Sequence, residues 1–155
     1  MKKQEKTNAM RTLDQKKIPY QSHYYSGVVA GEDVAATLGQ DPNHVFKTLV
    51  TVGKSGEHYV FDVPVNRELD LKKAAAAVGE KKIEMIKSKE LLPLTGYIHG
   101  GCSPIGMKKR FWTVVHESAK DFDTIFVSGG KIGFQIELAA ADLAKVIPLE
   151  FADIC

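Results

Sequence analysis

The stretch HGGCSPIG, residues 99–106, sets a cysteine between a glycine pair and a Ser-Pro step. Three kinds of chemistry are open to Cys102 in that setting. A thiol nucleophile needs a depressed pKa and a base beside it. His99 lies three residues away, within reach of the chain, yet catalytic Cys-His pairs are normally assembled from distant segments. A metal ligand needs companions, and the five histidines (His23, His44, His58, His99 and His116) and two cysteines show no C-x-x-C or H-x-x-x-H spacing, so no metal is expected. The third possibility is a backbone role. Gly100 and Gly101 permit close approach and positive φ, and Pro104 stiffens the exit, so amide N–H groups can be presented to a carbonyl, carboxylate or phosphate oxygen. An ordinary tight turn would use the same residues.

Two further features carry potential chemistry. The loop VSGGK, residues 127–131, has the same small, glycine-rich character, but it lacks the G-x-x-x-x-G-K-[ST] spacing of a phosphate-binding Walker loop. In VFKTLV, Lys47 opens a strand whose positions 47, 49 and 51 share one face. With Leu49 pointing into the core, Lys47 sits at the rim of an apolar surface and needs an anionic or carbonyl partner, unless it snorkels to solvent.

The elements that must hold these residues can be read from periodicity and caps. Residues 8–17 form a helix behind Thr7 as N-cap, and IPYQSHYY is extended. GEDVAATLG is a short helix ending at Gly39. FKTLVTV and HYVFDVPV are strands joined through GKSG as a hairpin. DLKKAAAAVG is a helix with Asp70 at its start and Gly79 past its end, and KSKELLPLTG is a short helix from near Ser88, cut by Pro93. Strands follow at 111–115, 124–128 and 133–138, and AADLAKVI is a last helix. The strands outnumber what a doubly wound sheet needs, and the later ones lack intervening helices. The expected class is α+β, a mixed sheet with flanking helices.

Length and composition set the outer bounds. The 155 residues suit a single domain, 1–155, able to bury roughly two-thirds of its unfolded surface. No apolar stretch approaches a membrane span, and the charged start MKKQEKTNAM is not followed by the apolar region of a secretory signal. Two cysteines suit a reducing cytoplasm. Cys155 is the last residue, so it does not form a C-terminal lipidation box. A net charge of +2 excludes a polyelectrolyte binder, but basic residues are clumped. Lys108, Lys109 and Arg110, beside the glycine loop, are the run most suited to hold a phosphate backbone while a neighbouring pocket handles something smaller.

FKTL, LDLKKAAAAVG, TGYIHGGCSPIGMKKR, VSGGK and IELAAADLAKV, in that order from about residue 8 to the C-terminus, together resemble the YbaK/EbsC family. These are free-standing aminoacyl-tRNA deacylases similar to the editing domain of bacterial prolyl-tRNA synthetases. The resemblance implies a compact domain around a mixed, barrel-like sheet. It also implies hydrolysis of the ester between tRNA and a wrongly attached amino acid, above all cysteine on tRNA(Pro), without a cofactor. A transient complex with prolyl-tRNA synthetase is the partner it suggests.

Carried onto this chain, Lys47 matches the family's essential lysine. Gly100, Gly101, Cys102, Ser103 and Pro104 match its glycine-x-x-x-proline loop, whose amides hold the substrate. Tyr25 matches a pocket tyrosine, and Ser128 with Gly129 matches the second loop. Cys102 falls at a variable position, which makes its amide more important than its sulfur. In cysteine-specific members the substrate's own thiol attacks its carbonyl and expels the tRNA, so proximity replaces an enzymic nucleophile. Two positions depart from the pattern: Ala30 stands where those members carry a phenylalanine, and Gln135 where they carry an aspartate. Both alter the pocket and leave alanine or serine, removed by water, as alternative substrates. A non-catalytic module that binds tRNA or a synthetase is the alternative of a different class.

Overall fold

A computed structural model describes residues 6–26 and 31–155, and Ala30 therefore lies outside the described residues. Among the described residues, five α-helices and eight strands alternate irregularly: α1 (Asn8–Gln15), β1 (Gln21–Tyr24), α2 (Gly31–Thr37), β2 (Phe46–Gly53), β3 (His58–Pro64), α3 (Leu71–Val78), β4 (Ile83–Met85), α4 (Ser88–Thr95), β5 (Trp112–His116), β6 (Ile125–Ser128), β7 (Phe134–Leu138), α5 (Ala140–Val146) and β8 (Leu149–Ala152). Local chemistry explains the boundaries. Thr7 accepts the Met10 N–H at the start of α1, and Asp70 accepts those of Lys72 and Lys73 at the start of α3. Gly79 ends α3 in the left-handed conformation.

The strands form two sheets. β1, β7 and β6 make a small antiparallel sheet, and β4-β2-β3-β5-β8 make a mixed one in which β3–β5 and β5–β8 are parallel. The expected α+β class holds, but the sheets do not close into a barrel. Among the described residues their ladder contact is a single bridge between Val45 and Phe126. The Val45 carbonyl accepts the Val65 N–H, which commits the start of β2 to β3 rather than to β6.

α4 also corrects the expectation that Pro93 cuts it. The helix runs through Pro93 to Thr95 and stops at Gly96, whose φ is 84°. In so short a helix the proline removes one hydrogen bond, and the Thr95 hydroxyl adds another to the Leu91 carbonyl.

Separate apolar clusters hold the layers. One packs α1 and α5 against the small sheet through Met10, Leu13, Ile136 and Leu143. A second packs α3 against Phe61 and Val63 of β3. A third covers the opposite face of the large sheet, where Val50 and Val60 meet Leu91, Tyr97 and Cys102. That third face, beside the junction of the two sheets, is where the candidate site lies. Among the described residues no helix is long and apolar enough to cross a membrane.

Candidate functional site

A cavity of about 560 Å³ opens between β2, the segment following β4, the glycine loop and the end of the small sheet. Its walls bring together Tyr25, Lys47, Gly100, Cys102, Ser128 and Gln135, six of the residues singled out in the sequence. Register explains part of this convergence. Ser128, the last residue of β6, pairs with Gln135 of β7, and Gln135 pairs on its other side with His23 of β1, two residues before Tyr25. The Tyr25 N–H is held by the Gly133 carbonyl, 2.9 Å away.

The glycine loop divides its labour. Gly100, at φ 87°, needs to be glycine, whereas the Gly101 N–H donates to the Ile98 carbonyl and is not available to a ligand. A side chain on Gly101 would begin 3.0 Å from the Ile132 nitrogen, so that position serves close packing. Ser103 is fully buried and its hydroxyl accepts the Ile105 N–H. The amides of Cys102 and Ser103 have no acceptor among the described residues. Of the five loop residues, Gly100 and Cys102 line the cavity, and Gly101, Ser103 and Pro104 do not.

Burial, assisted by the nearby Asp62 carboxyl, pushes the Cys102 thiol up to about 12. Such a group holds almost no thiolate at neutral pH, the reverse of an activated nucleophile. Among the described residues no group of three or more His, Cys, Asp or Glu side chains is placed to hold a metal ion.

Lys47 and Leu49 share a face as their alternation requires, with Leu49 packed against the α3 cluster. The Lys47 side chain is about one-quarter exposed, and its ammonium lies 3.8 Å from the Glu68 carboxylate. In the second loop, the Ser128 hydroxyl accepts the Gly130 N–H, and the Gly129 N–H donates to the Phe134 carbonyl. Gly129 does not line the cavity; its carbonyl receives the Thr7 hydroxyl, tying the loop to α1. A Cβ there would meet that of Phe134 at 2.9 Å.

The basic run lies elsewhere. Lys109 and Arg110 border a second cleft of about 250 Å³ together with Lys16, Asn8 and Thr12 of the α1 segment, and among the described residues no carboxylate lines it. Pro104 forms part of that cleft, so the glycine loop contributes one end to the cavity and the other to the cleft. Lys108 instead lays its stem over Gly96, 3.3 Å from where a side chain would begin.

Sequence reasoning missed the cavity residues Thr48 and Leu91 and the segment from Met85 to Ser88. It also missed Asp62, although a carboxylate inside the apolar run YVFDVPV was a visible signal.

The sequence profile of the aminoacyl-tRNA editing domain matches residues 26–146. The chain is 48% identical over 156 residues to a protein of Enterococcus faecalis named "Putative Cys-tRNA(Pro)/Cys-tRNA(Cys) deacylase EbsC", covering 99% of this chain and 95% of that one. It is 29% identical over 136 residues to the proline–tRNA ligase of Thermosipho melanesiensis, covering 80% of this chain and 23% of the ligase. A crystal structure titled as "a putative trans-editing enzyme for prolyl tRNA synthetase" has the same fold, with a TM-score of 0.84 at 22% identity over 95% of this chain and 94% of the other.

Proposed function

The chain belongs to the aminoacyl-tRNA editing domain family, and from that premise we propose that its 155 residues act as one editing domain that deacylates mischarged tRNA, with cysteinyl-tRNA(Pro) as the preferred substrate. The observation that carries this reading is the convergence of Tyr25, Lys47, Gly100, Cys102, Ser128 and Gln135 on one cavity from five separated stretches of chain. The relative in Enterococcus faecalis, with nearly full-length coverage and a matching name, supports the choice of amino acid.

The chemistry needs no nucleophile from the protein. The substrate thiol loses its proton and its sulfur attacks the ester carbonyl carbon. The carbon–oxygen bond to the terminal ribose breaks, and the departing ribose oxygen takes up a proton. The resulting cysteine thiolactone is hydrolysed by water. Folding the aminoacyl group into a reactive pose exploits proximity, where effective molarities reach roughly 10⁵ M and above. The protein's part is to hold that pose and stabilise the developing oxyanion. The Cys102 amide, at the cavity wall and without an internal acceptor, is the donor suited to that task. Lys47 supplies positive charge to the ester or the terminal phosphate.

Gln135 replaces the carboxylate of cysteine-specific relatives with a neutral acceptor: its Oε1 is buried at the cavity and has no partner among the described residues. Lys16, Lys109 and Arg110 hold phosphates of the acceptor end in the second cleft, while Lys108 plays a lesser part. The likeness to part of a proline–tRNA ligase supports a transient complex with that enzyme in the cytoplasm, which would restrict the activity to tRNA(Pro). The test is incubation of the pure protein with cysteinyl-tRNA(Pro). Release of free tRNA with turnover is expected, and stoichiometric binding without release would leave only a binding module.

A further inference from the structure

Asp62 is a titratable group that the proposed chemistry does not use. It sits on β3 directly opposite Thr48 of β2, with no exposed surface. The Thr48 hydroxyl donates to Asp62 Oδ1 at 2.5 Å, and Asp62 Oδ2 has no partner among the described residues. Its neighbours on that sheet face belong to the cluster that includes Val60 and Cys102. Thr48 and Cys102 line the cavity and Asp62 does not, so the carboxyl stands behind the wall that they form. Burial raises its pKa to about 7, and only the Thr48 bond opposes that shift. A buried carboxyl with one partner and no cation is costly, and structural packing alone would be served better by an apolar residue.

What the arrangement supplies is polarity. A hydroxyl carries one proton, and here that proton is committed to Asp62, so the Thr48 oxygen has only lone pairs left to offer the cavity. Gln135 Oε1 adds a second acceptor in the same cavity without a partner. An aminoacyl ester brings a strong donor to such a site, its α-ammonium. An N-acylated ester brings only one amide N–H and a bulky carbonyl.

We propose that Asp62 is a positioning residue that fixes Thr48 as a hydrogen-bond acceptor for the substrate's α-ammonium, so that the cavity accepts aminoacyl esters with a free amine and rejects N-acylated ones. This rests on the deacylase reading above, and it names a feature of the substrate that reading leaves open.

The experiment compares binding as well as turnover. Binding is measured with an amide-linked, non-hydrolysable 3′-cysteinylamino-adenosine and with its N-acetyl form. Turnover is measured with cysteinyl- and N-acetylcysteinyl-tRNA(Pro). The wild type should prefer the free amine by tenfold or more in both assays, the scale of one hydrogen bond to a charged group. Thr48→Val, which keeps the shape and removes the hydroxyl, should weaken binding of the free-amine ligand about tenfold and leave the N-acetyl ligand unchanged. Thr48→Ser should retain the preference. Asp62→Asn, which offers Thr48 a donor as well as an acceptor, should lower the preference part of the way. If Thr48→Val does not fold, Asp62→Asn carries the test through the same ratio. A binding preference that persists without turnover supports this proposal and removes the deacylase reading. A wild type that binds both ligands equally, or a ratio unchanged in the folded Thr48 and Asp62 variants, overturns it.

Discussion

The Lys47 ammonium stands 3.8 Å from the Glu68 carboxylate, and the Glu68 side chain is 96% exposed. A pair so wet holds its lysine weakly, at well under 1 kcal/mol in typical cases, and leaves the charge free to move to a better anion. Lys47→Ala should therefore lower kcat/KM for cysteinyl-tRNA by roughly 30- to 150-fold, because a charge-assisted contact to phosphate or oxyanion is worth about 2–3 kcal/mol. Glu68→Gln should leave the rate within about twofold. Steady-state deacylation of both variants checks this, and equal losses in the two would show that the pair is needed intact.

Cys102 sits at the cavity wall but its thiol is pushed up to about 12. Cys102→Ala should keep deacylation within a few-fold of wild type, because the amide survives the change. The rate should also show no inflection assignable to this thiol between pH 6 and 9. A loss of several orders of magnitude in Cys102→Ala would restore a thiol enzyme.

The cleft formed by Lys16, Lys109 and Arg110 should carry the salt dependence of tRNA binding. Replacing all three with alanine should weaken binding and flatten the slope of log K against log salt by roughly 0.7–0.9 for each phosphate no longer neutralised. Lys108→Ala alone, whose stem covers Gly96, should change the slope much less. Hydrolysis of a minimal aminoacyl ester should be unaffected in either case.

Asp62 makes a pH prediction with a definite sign. Its folded-state pKa is raised from 3.8 to about 7 by burial, so between those values the folded protein holds a proton that the unfolded chain releases. Stability therefore falls as pH rises from about 4 to 7, by up to about 1.4 kcal/mol per pH unit, relative to Asp62→Asn. Thr48 is its hydrogen-bonding neighbour, and the Cys102 thiol nearby does not titrate in that window. Denaturant unfolding of both proteins at pH 5, 6, 7 and 8 measures the difference. A difference that stays flat from pH 5 to 7 would show that Asp62 is not buried as described.

The parts of the fold that were legible in the sequence are those set by local chemistry: the Thr7 and Asp70 caps, the glycine ends of helices and the GKSG hairpin. What escaped depends on distant pairing. β4, at residues 83–85, and β8, at 149–152, are strands only because β2 and β5 offer them an edge. The division into two sheets follows from where Val45 directs its carbonyl, which no periodicity records. The same holds at the site. Motif residues could be named from their order along the chain, but the burial of Asp62 behind Thr48 appears only when β2 and β3 are in register. The separation of Lys109 and Arg110 from the cavity likewise required the path of the glycine loop.

On this mechanism the cavity works by positioning a cysteinyl ester for attack by its own thiol. The most direct measurement is a side-by-side single-turnover comparison of cysteinyl-, alanyl- and seryl-tRNA(Pro). Size alone separates such substrates by only about 1–3 kcal/mol, whereas a thiol is a few per cent ionised at neutral pH and a hydroxyl is not. Cysteinyl-tRNA should react fastest, with seryl- and alanyl-tRNA well behind. Alanyl-tRNA reacting as fast as cysteinyl-tRNA would contradict it and put a positioned water in place of the substrate thiol.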